Sequence, residues 1–96
     1  MRVQEAIAVD KSQLAYYPFK REEVLEDTVD RSLRKYDLER AVALGNLYKS
    51  SVTIFFKNID NETKSVTGTV WALTSKFVSL KGNLTIPINA IIRVQV

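Results

Sequence analysis

Apolar and polar residues alternate along residues 51–96 in several short runs separated by brief turn signals. An alternation of period two places the apolar side chains on one face of a strand. We therefore predict strands over residues 52–57, 64–73, 76–81, 84–86 and 91–96. The turn signals between them are Asp60–Asn61–Glu62, Thr74–Ser75, Gly82–Asn83 and Pro87–Asn89.

Gly68 lies in the middle of the longest predicted strand, residues 64–73. A strand of that length in a small sheet has to bend, and glycine permits sharp coiling because it has no Cβ. Pro87 has no amide hydrogen, so we expect it to end one strand and begin a tight turn through Asn89. Five short strands bent at a glycine predict a strongly bent five-stranded antiparallel β-barrel of the SH3-like or Sm-like type over residues 50–96.

Residues 20–46 carry a helical pattern instead. Leu25, Val29, Leu33 and Tyr36 recur every three or four residues and form one apolar stripe. Acidic residues lie early in this stretch and basic residues late, which complements the dipole of a helix. We expect the stripe to bury against the sheet, and recognition of a partner through it is the alternative.

The same segment contains signals for a second, shorter helix. Asp37 is a candidate N-cap for a helix over residues 38–44, and Gly45–Asn46 resembles a glycine C-cap. Residues 1–19 form either two short strands or an arm that orders only on packing. The predicted fold class is α+β in one domain over 1–96, with an N-terminal arm at 1–19, a helical segment at 20–46 and the small barrel at 50–96.

Composition places the chain among soluble globular proteins. Apolar residues make up 46% of it and charged residues 26%. No apolar run approaches the roughly 20 residues that span a bilayer, and the N-terminus is acidic too early for a secretory signal. Cysteine is absent, which suits a reducing compartment. We expect a cytoplasmic protein that does not enter a membrane.

The net charge of +3 comes from the strand-rich part of the chain. Residues 47–96 contain six basic and two acidic residues, a difference of +4: Lys49, Lys57, Lys64, Lys76, Lys81 and Arg93 against Asp60 and Glu62. A basic face attracts nucleic acid, acidic lipid and acidic proteins alike. A bias of this size is also compatible with an ordinary solvated surface.

Catalysis has little support in the residue types present. Histidine and cysteine are both absent, which removes the commonest general base and the strongest nucleophile. Asp27 with Arg31, and Asp30 with Arg34, have the i,i+4 spacing of helix ion pairs. The three glycines are isolated rather than gathered in a phosphate-binding loop. We predict a protein that is not an enzyme and has no cofactor or metal.

The stretch GTVWALTSKFVSLKGN, followed by IPINAIIRVQV, resembles the Sm-like fold, and in its short connections it is most similar to the bacterial host-factor RNA chaperone family. It also resembles a group of small bacterial proteins in which an N-terminal helix precedes such a barrel. The resemblance covers about half of the chain and implies the fold. Where the chaperone family carries a Tyr-Lys-His group for uridine, this chain has Pro87, Ile88 and Asn89, so the uridine site is not implied.

Aromatic and basic side chains on the strands suggest a binding module. Aromatic rings stack on bases while cations contact phosphates, as in proteins that bind single strands. The candidate nucleic-acid-binding residues are Lys57, Lys76, Lys81, Asn83, Arg93, Trp71 and Phe55. The alternative is that Phe55, Trp71 and Phe77 form the floor beneath the helix.

A second functional class is protein–protein interaction, as a regulatory adaptor that uses an exposed edge strand or the helix face. The last predicted strand, residues 91–96, carries little charge. An exposed edge can pair with another chain by β-augmentation. Homo-oligomerisation is therefore a further prediction.

Overall fold

The computed structural model describes residues 6–96, in which one long helix lies between a short first strand and six later strands. Strand β1 covers Ile7–Ala8 and helix α1 covers Thr28–Tyr48. The later strands are β2 (Val52–Lys57), β3 (Thr63–Gly68), β4 (Val70–Leu73), β5 (Phe77–Leu80), β6 (Leu84–Pro87) and β7 (Ile91–Gln95). Short 3-10 helices cover Lys11–Gln13 and Ile88–Ala90. Within residues 6–96 no helix is both long and apolar enough to cross a bilayer.

The strands form two open sheets. One has the order β1-β3-β2-β7, in which only β1 and β3 run parallel, and the other is the antiparallel sheet β4-β5-β6. The prediction of a closed five-stranded barrel preceded by the helical segment is therefore wrong. The chain crosses between the sheets at Thr69 and at Ile88–Ala90, and neither crossing is a continuous strand. The strand predicted over 64–73 is accordingly two strands in different sheets.

The core lies where the inner faces of the two sheets and one face of α1 meet. The alternation predicted for β2 places Ile54 and Phe56 inside, both completely buried. The other largest fully buried side chains are Leu38, Val66, Val70, Val78, Leu80, Ile86 and Ile91. Tyr17 and Phe19 pack their rings against Phe56, with centroids 5.6 and 5.2 Å from it. This segment before the helix therefore packs against the core.

Helix α1 begins at Thr28 rather than near Lys20, and Asp27 caps it by accepting a hydrogen bond from the Val29 amide at 2.7 Å. Residues 20–26 are not helical, because their backbone bonds to Asn89 instead. The Asn89 carbonyl accepts from the Val24 amide at 2.9 Å, and the Asn89 side-chain amide donates to the Glu22 carbonyl at 3.2 Å. A contact across the sequence thus overrides the helical pattern there.

The two helices predicted within residues 20–46 are one continuous helix. Gly45 lies inside it, and the helix ends at Lys49, which adopts the left-handed conformation with φ 54°. The amides of Lys49 and Ser50 close the end by donating to the carbonyls of Gly45 and Leu44 at 3.0 and 3.4 Å. A lysine replaces glycine at a position that glycine favours.

Three of the four residues of the predicted apolar stripe face away from the sheets, so their predicted burial is wrong; the fourth, Leu25, lies before α1 and is half-buried. Val29, Leu33 and Tyr36 are 56–62% exposed. The buried face of the helix consists of Arg34, Leu38, Ala41 and Gly45. Two of those residues are small, which lets the helix axis approach β4 closely. A Cβ built on Gly45 would overlap the carbonyl oxygen of Val70.

Gly45 is the last residue of the buried face of α1, and Arg34 is the first. Arg34 is 7% exposed and donates to both carboxylate oxygens of Glu23 at 2.7 Å. It also donates to the carbonyl of Ile91 on β7 at 2.9 Å. The hydrogen bonds from Arg34 to the Glu23 carboxylate lower the pKa of that carboxyl below its ordinary value of 4.5. One buried cation therefore joins the helix, the segment before it and the last strand.

Removing the Glu23 charge should destabilise the fold in a pH-dependent way. Because the pKa of Glu23 is lower in the folded state, its ion pair stabilises the fold fully above pH 4.5 and loses that effect as the pH falls through the folded pKa. We expect Glu23→Gln to lower the free energy of unfolding by about 2 kcal/mol at neutral pH, and by less in acid. Urea denaturation over a pH series measures this. Glu22→Gln, beside it and more exposed, is the control, and equal pH dependence of the two variants would contradict the assignment.

Adding one methyl group to Gly45 should also destabilise the protein. Alanine favours a helix over glycine by about 1 kcal/mol, yet the new Cβ meets the Val70 carbonyl and the helix has to move. We expect Gly45→Ala to cost about 1–3 kcal/mol despite the gain in propensity. The neighbouring exposed substitution Asn46→Ala should be neutral or slightly stabilising. Thermal unfolding followed by circular dichroism compares the two, and a stabilised Gly45→Ala variant would refute the close approach.

Candidate functional site

A cleft of about 420 Å³ lies where the C-terminal end of α1 meets strand β4 and the turn between β5 and β6. Its lining residues belong to these elements or directly adjoin them: Gly45, Asn46, Lys49, Thr69, Trp71 and Lys81. The lining combines one large aromatic ring, two lysines and two neutral polar side chains. None of these six described residues carries a carboxylate.

Trp71 is the largest side chain at the cleft, and it is 50% exposed. Strand β4 pairs with β5 through Val70 with Leu80 and Ala72 with Ser79, so the register shifts by one residue at Trp71. A bulge of this kind redirects the side chain of the extra residue. The ring contacts found in residues 6–96 join Tyr17, Phe19 and Phe56 and do not involve Trp71. The exposed half of the indole therefore lines the cleft and is accessible from it.

Lys49 and Lys81 place positive charge at the cleft. Lys49 is held there by the left-handed turn that ends α1. The amide of Lys81 donates to the Thr69 carbonyl at 2.9 Å, which fixes the start of the β5–β6 turn beside β4. Both lysines are exposed, and neither takes part in the ion pairs found in the described part of the chain. The cleft is accordingly an electropositive site.

Gly45 and Thr69 shape the inner side of the cleft. The helix lies against β4 at Gly45, where there is no room for a side chain. Thr69 is 8% exposed and separates β3 from β4. The contact that positions the helix therefore also fixes the distance between Lys49 and the strand that carries Trp71.

The structure brings together only part of the predicted nucleic-acid-binding set. Trp71 and Lys81 line the cleft, and Asn83 lies two residues further along the same turn with φ 62°. The other predicted residues lie elsewhere: Lys57 at the end of β2, Lys76 before β5, Arg93 on β7 and Phe55 on β2.

The predicted aromatic floor beneath the helix is wrong. Phe55 is buried at 7% exposure, and its backbone pairs with Ser65 and Arg93 in the four-stranded sheet. Phe77 and Trp71 are both exposed, on the other sheet. The three rings therefore share no face, because the break at Thr69 places their strands in different sheets.

Lys49 and Asn46 line the cleft but were not among the predicted binding residues, since Lys49 entered only the charge balance and Asn46 only the predicted helix cap. Asn46 lies at the end of the predicted helix and Lys49 lies beyond it. A helix that ended near Gly45 would leave both residues in a loop whose path the sequence does not predict. The signal that would have found them is the continued helical pattern through Leu47 and Tyr48. That extension carries Lys49 to β4.

The predicted edge strand is β7, which among the described strands pairs with β2 and lies at one side of its sheet. The Ile91 carbonyl at the start of that strand already accepts a hydrogen bond from Arg34. Helix α1 contacts β7 as well as β4. The edge that the sequence suggested for another chain is thus partly covered by this protein's own helix.

Comparison of the chain with protein-family models, with curated proteins and with solved structures finds no match. The resemblance to the Sm-like proteins stays a prediction.

The charge of the cleft can be measured through Trp71, which is the only tryptophan in the sequence. A half-exposed indole that shares a cleft with two lysines should be quenched more strongly by iodide than by caesium. We expect Lys49→Gln with Lys81→Gln to reduce the iodide quenching constant roughly twofold or more at low salt. Lys35→Gln with Lys76→Gln is the matched control. Equal iodide quenching of the two double variants would contradict an electropositive cleft.

Proposed function

We propose that this protein is a non-catalytic binding module for single-stranded nucleic acid, and that the Trp71 cleft is its contact site. The observation that carries the proposal is an exposed indole ring at a β-bulge, which lines the same cleft as two lysines that form no ion pair within residues 6–96. A base stacks on the indole, and the phosphates on either side of it contact Lys49 and Lys81. Asn46 and Thr69 offer hydrogen bonds to the base edge or the sugar.

The size of the cleft favours one base with its flanking phosphates over a long strand. Stacking of a base on an aromatic side chain contributes about 1–3 kcal/mol. Two phosphate contacts on a single strand give a slope of log affinity against log salt of about −1.4. We therefore expect weak binding that falls roughly sevenfold between about 50 and 200 mM salt.

The exposed indole of Trp71 favours a nucleic acid over an acidic protein, because the lysines alone would attract either. The cleft offers an aromatic face together with its cations, and stacking uses that face whatever the base. An acidic peptide would use the lysines but leave the indole in water. The absence of histidine and cysteine from the whole sequence supports the non-catalytic part of the proposal.

The test is a titration of the protein with a short deoxythymidine oligonucleotide at two salt concentrations. Quenching of the Trp71 fluorescence by the oligonucleotide reports binding. Fluorescence anisotropy of the labelled oligonucleotide gives a second readout that does not need the tryptophan. We expect Trp71→Leu to weaken binding about tenfold and Lys81→Gln to reduce the salt slope by about 0.7. Lys76→Gln, the same change outside the cleft, should leave both the affinity and the salt slope unchanged.

Two results would contradict this function. One is the absence of binding at about 50 mM salt, where phosphate contacts are still strong. The other is binding that Trp71→Leu leaves intact, which would place the nucleic acid on another part of the surface.

A further inference from the structure

The outward face of α1 carries a second feature, which the Trp71 cleft does not use. Six residues recur at alternating spacings of four and three, the repeat of a helix that packs along another helix. We call these six the outer seam: Val29, Leu33, Tyr36, Arg40, Ala43 and Leu47. All six are exposed, and its four large apolar residues are 56–74% exposed.

The outer seam contributes nothing to the interior of the described structure. The buried face of α1, Arg34 to Gly45, lies on the opposite side of the helix. Single exposed apolar residues are common on protein surfaces, but here four lie in one stripe over most of a 21-residue helix. An apolar stripe at this spacing indicates a helix partner.

We propose that the outer seam pairs with the outer seam of a second copy, with the two helices antiparallel. The spacing of the six residues reads the same from either end, so two antiparallel copies can align all six positions. A twofold axis midway between Tyr36 and Arg40 sets Val29 against Leu47 and Leu33 against Ala43, so a large residue faces a small one in the second layer. It also sets Tyr36 against Arg40 of the other copy.

The central layer suits this arrangement. Within one copy the guanidinium of Arg40 lies 5.7 Å from the centroid of the Tyr36 ring, and 3.8 Å from the Asp37 carboxylate. In the dimer each guanidinium lies beside a second ring without leaving its own carboxylate. Cation–π contacts gain strength as water is removed.

The charges beside the seam limit the strength of the dimer. Asp30, Asp37 and Glu39 border it on the helix, and Arg93 of β7 lines the groove next to Leu33. Asp37 and Glu39 come near the axis in both copies, so carboxylates outnumber the guanidiniums there. We therefore expect dimerisation to strengthen as salt rises, the opposite of the behaviour expected for nucleic-acid binding.

The surface area that this contact would bury is close to the minimum for a specific interface. From Val29 to Leu47 the helix extends about 27 Å, and an antiparallel pair of that length buries on the order of 1,000 Å². An interface of that area gives a weak dimer that depends on concentration. Its expected mass rises from 10.9 kDa toward twice that value as the protein is concentrated.

Sedimentation velocity over a concentration series, with paired charge variants, tests both the surface and its direction. Val29→Glu alone and Leu47→Lys alone should each weaken dimerisation at least about tenfold. A mixture of the two variants should restore it. In an antiparallel pair the new acid meets the new base at one end, while the other end keeps its Leu47–Val29 layer.

Ile59→Ala is the control, because Ile59 is an aliphatic residue of similar exposure outside the helix. It should leave the dimer unchanged, and circular dichroism confirms that each variant retains its helix. A monomer at all concentrations would overturn the proposal, and so would a dimer that Val29→Glu does not weaken. A mixture that stays monomeric would overturn the antiparallel direction. Oligonucleotide binding is also measured for the Val29→Glu variant. Because Val29 does not line the Trp71 cleft, this binding tests the proposed function independently of dimerisation.

Discussion

The orientation of helix α1 about its own axis depends on the buried guanidinium of Arg34. A charge at 7% exposure is costly unless its hydrogen bonds are satisfied, and here Glu23 and the Ile91 carbonyl satisfy them. Once Arg34 points inward, Leu38, Ala41 and Gly45 follow on the same face. Every residue on the opposite face is then directed to the surface. The position of one cation therefore decides which apolar residues the protein buries and which it presents.

The same orientation creates the cleft at the other end of the helix. Gly45 brings the helix into contact with β4, and the left-handed turn at Lys49 follows within a few residues. Trp71 reaches the cleft because the register of β4 shifts at that residue. The two surfaces that carry the proposals, the cleft and the outer seam, are thus products of one helix placement, although they lie on different sides of it.

Much of the strand pattern was predictable, and the helix orientation was not. The runs at β2, β5, β6 and β7 alternate with period two between recognisable turns, so local sequence places them close to their true bounds. Helix α1 has two faces of similar spacing, and the more apolar one is the face directed outward. What selects the inner face is a hydrogen bond between residues far apart in sequence, Arg34 and Ile91. Trp71 and Lys81 were found from their types, whereas Lys49 depended on where the helix ends.

Strand β1 has only two residues, and Ile7 is 65% exposed, so the strand adds little to the core. It pairs with β3, and the amide of Val9 extends the pairing by donating to the Ser65 carbonyl at 2.7 Å. Without this pairing, the outer edge of β3 would present free backbone groups beside the buried Val66. Edges of that kind recruit strands from other molecules and lead to aggregation. By pairing with β3, β1 therefore occupies a position that a foreign strand would otherwise take.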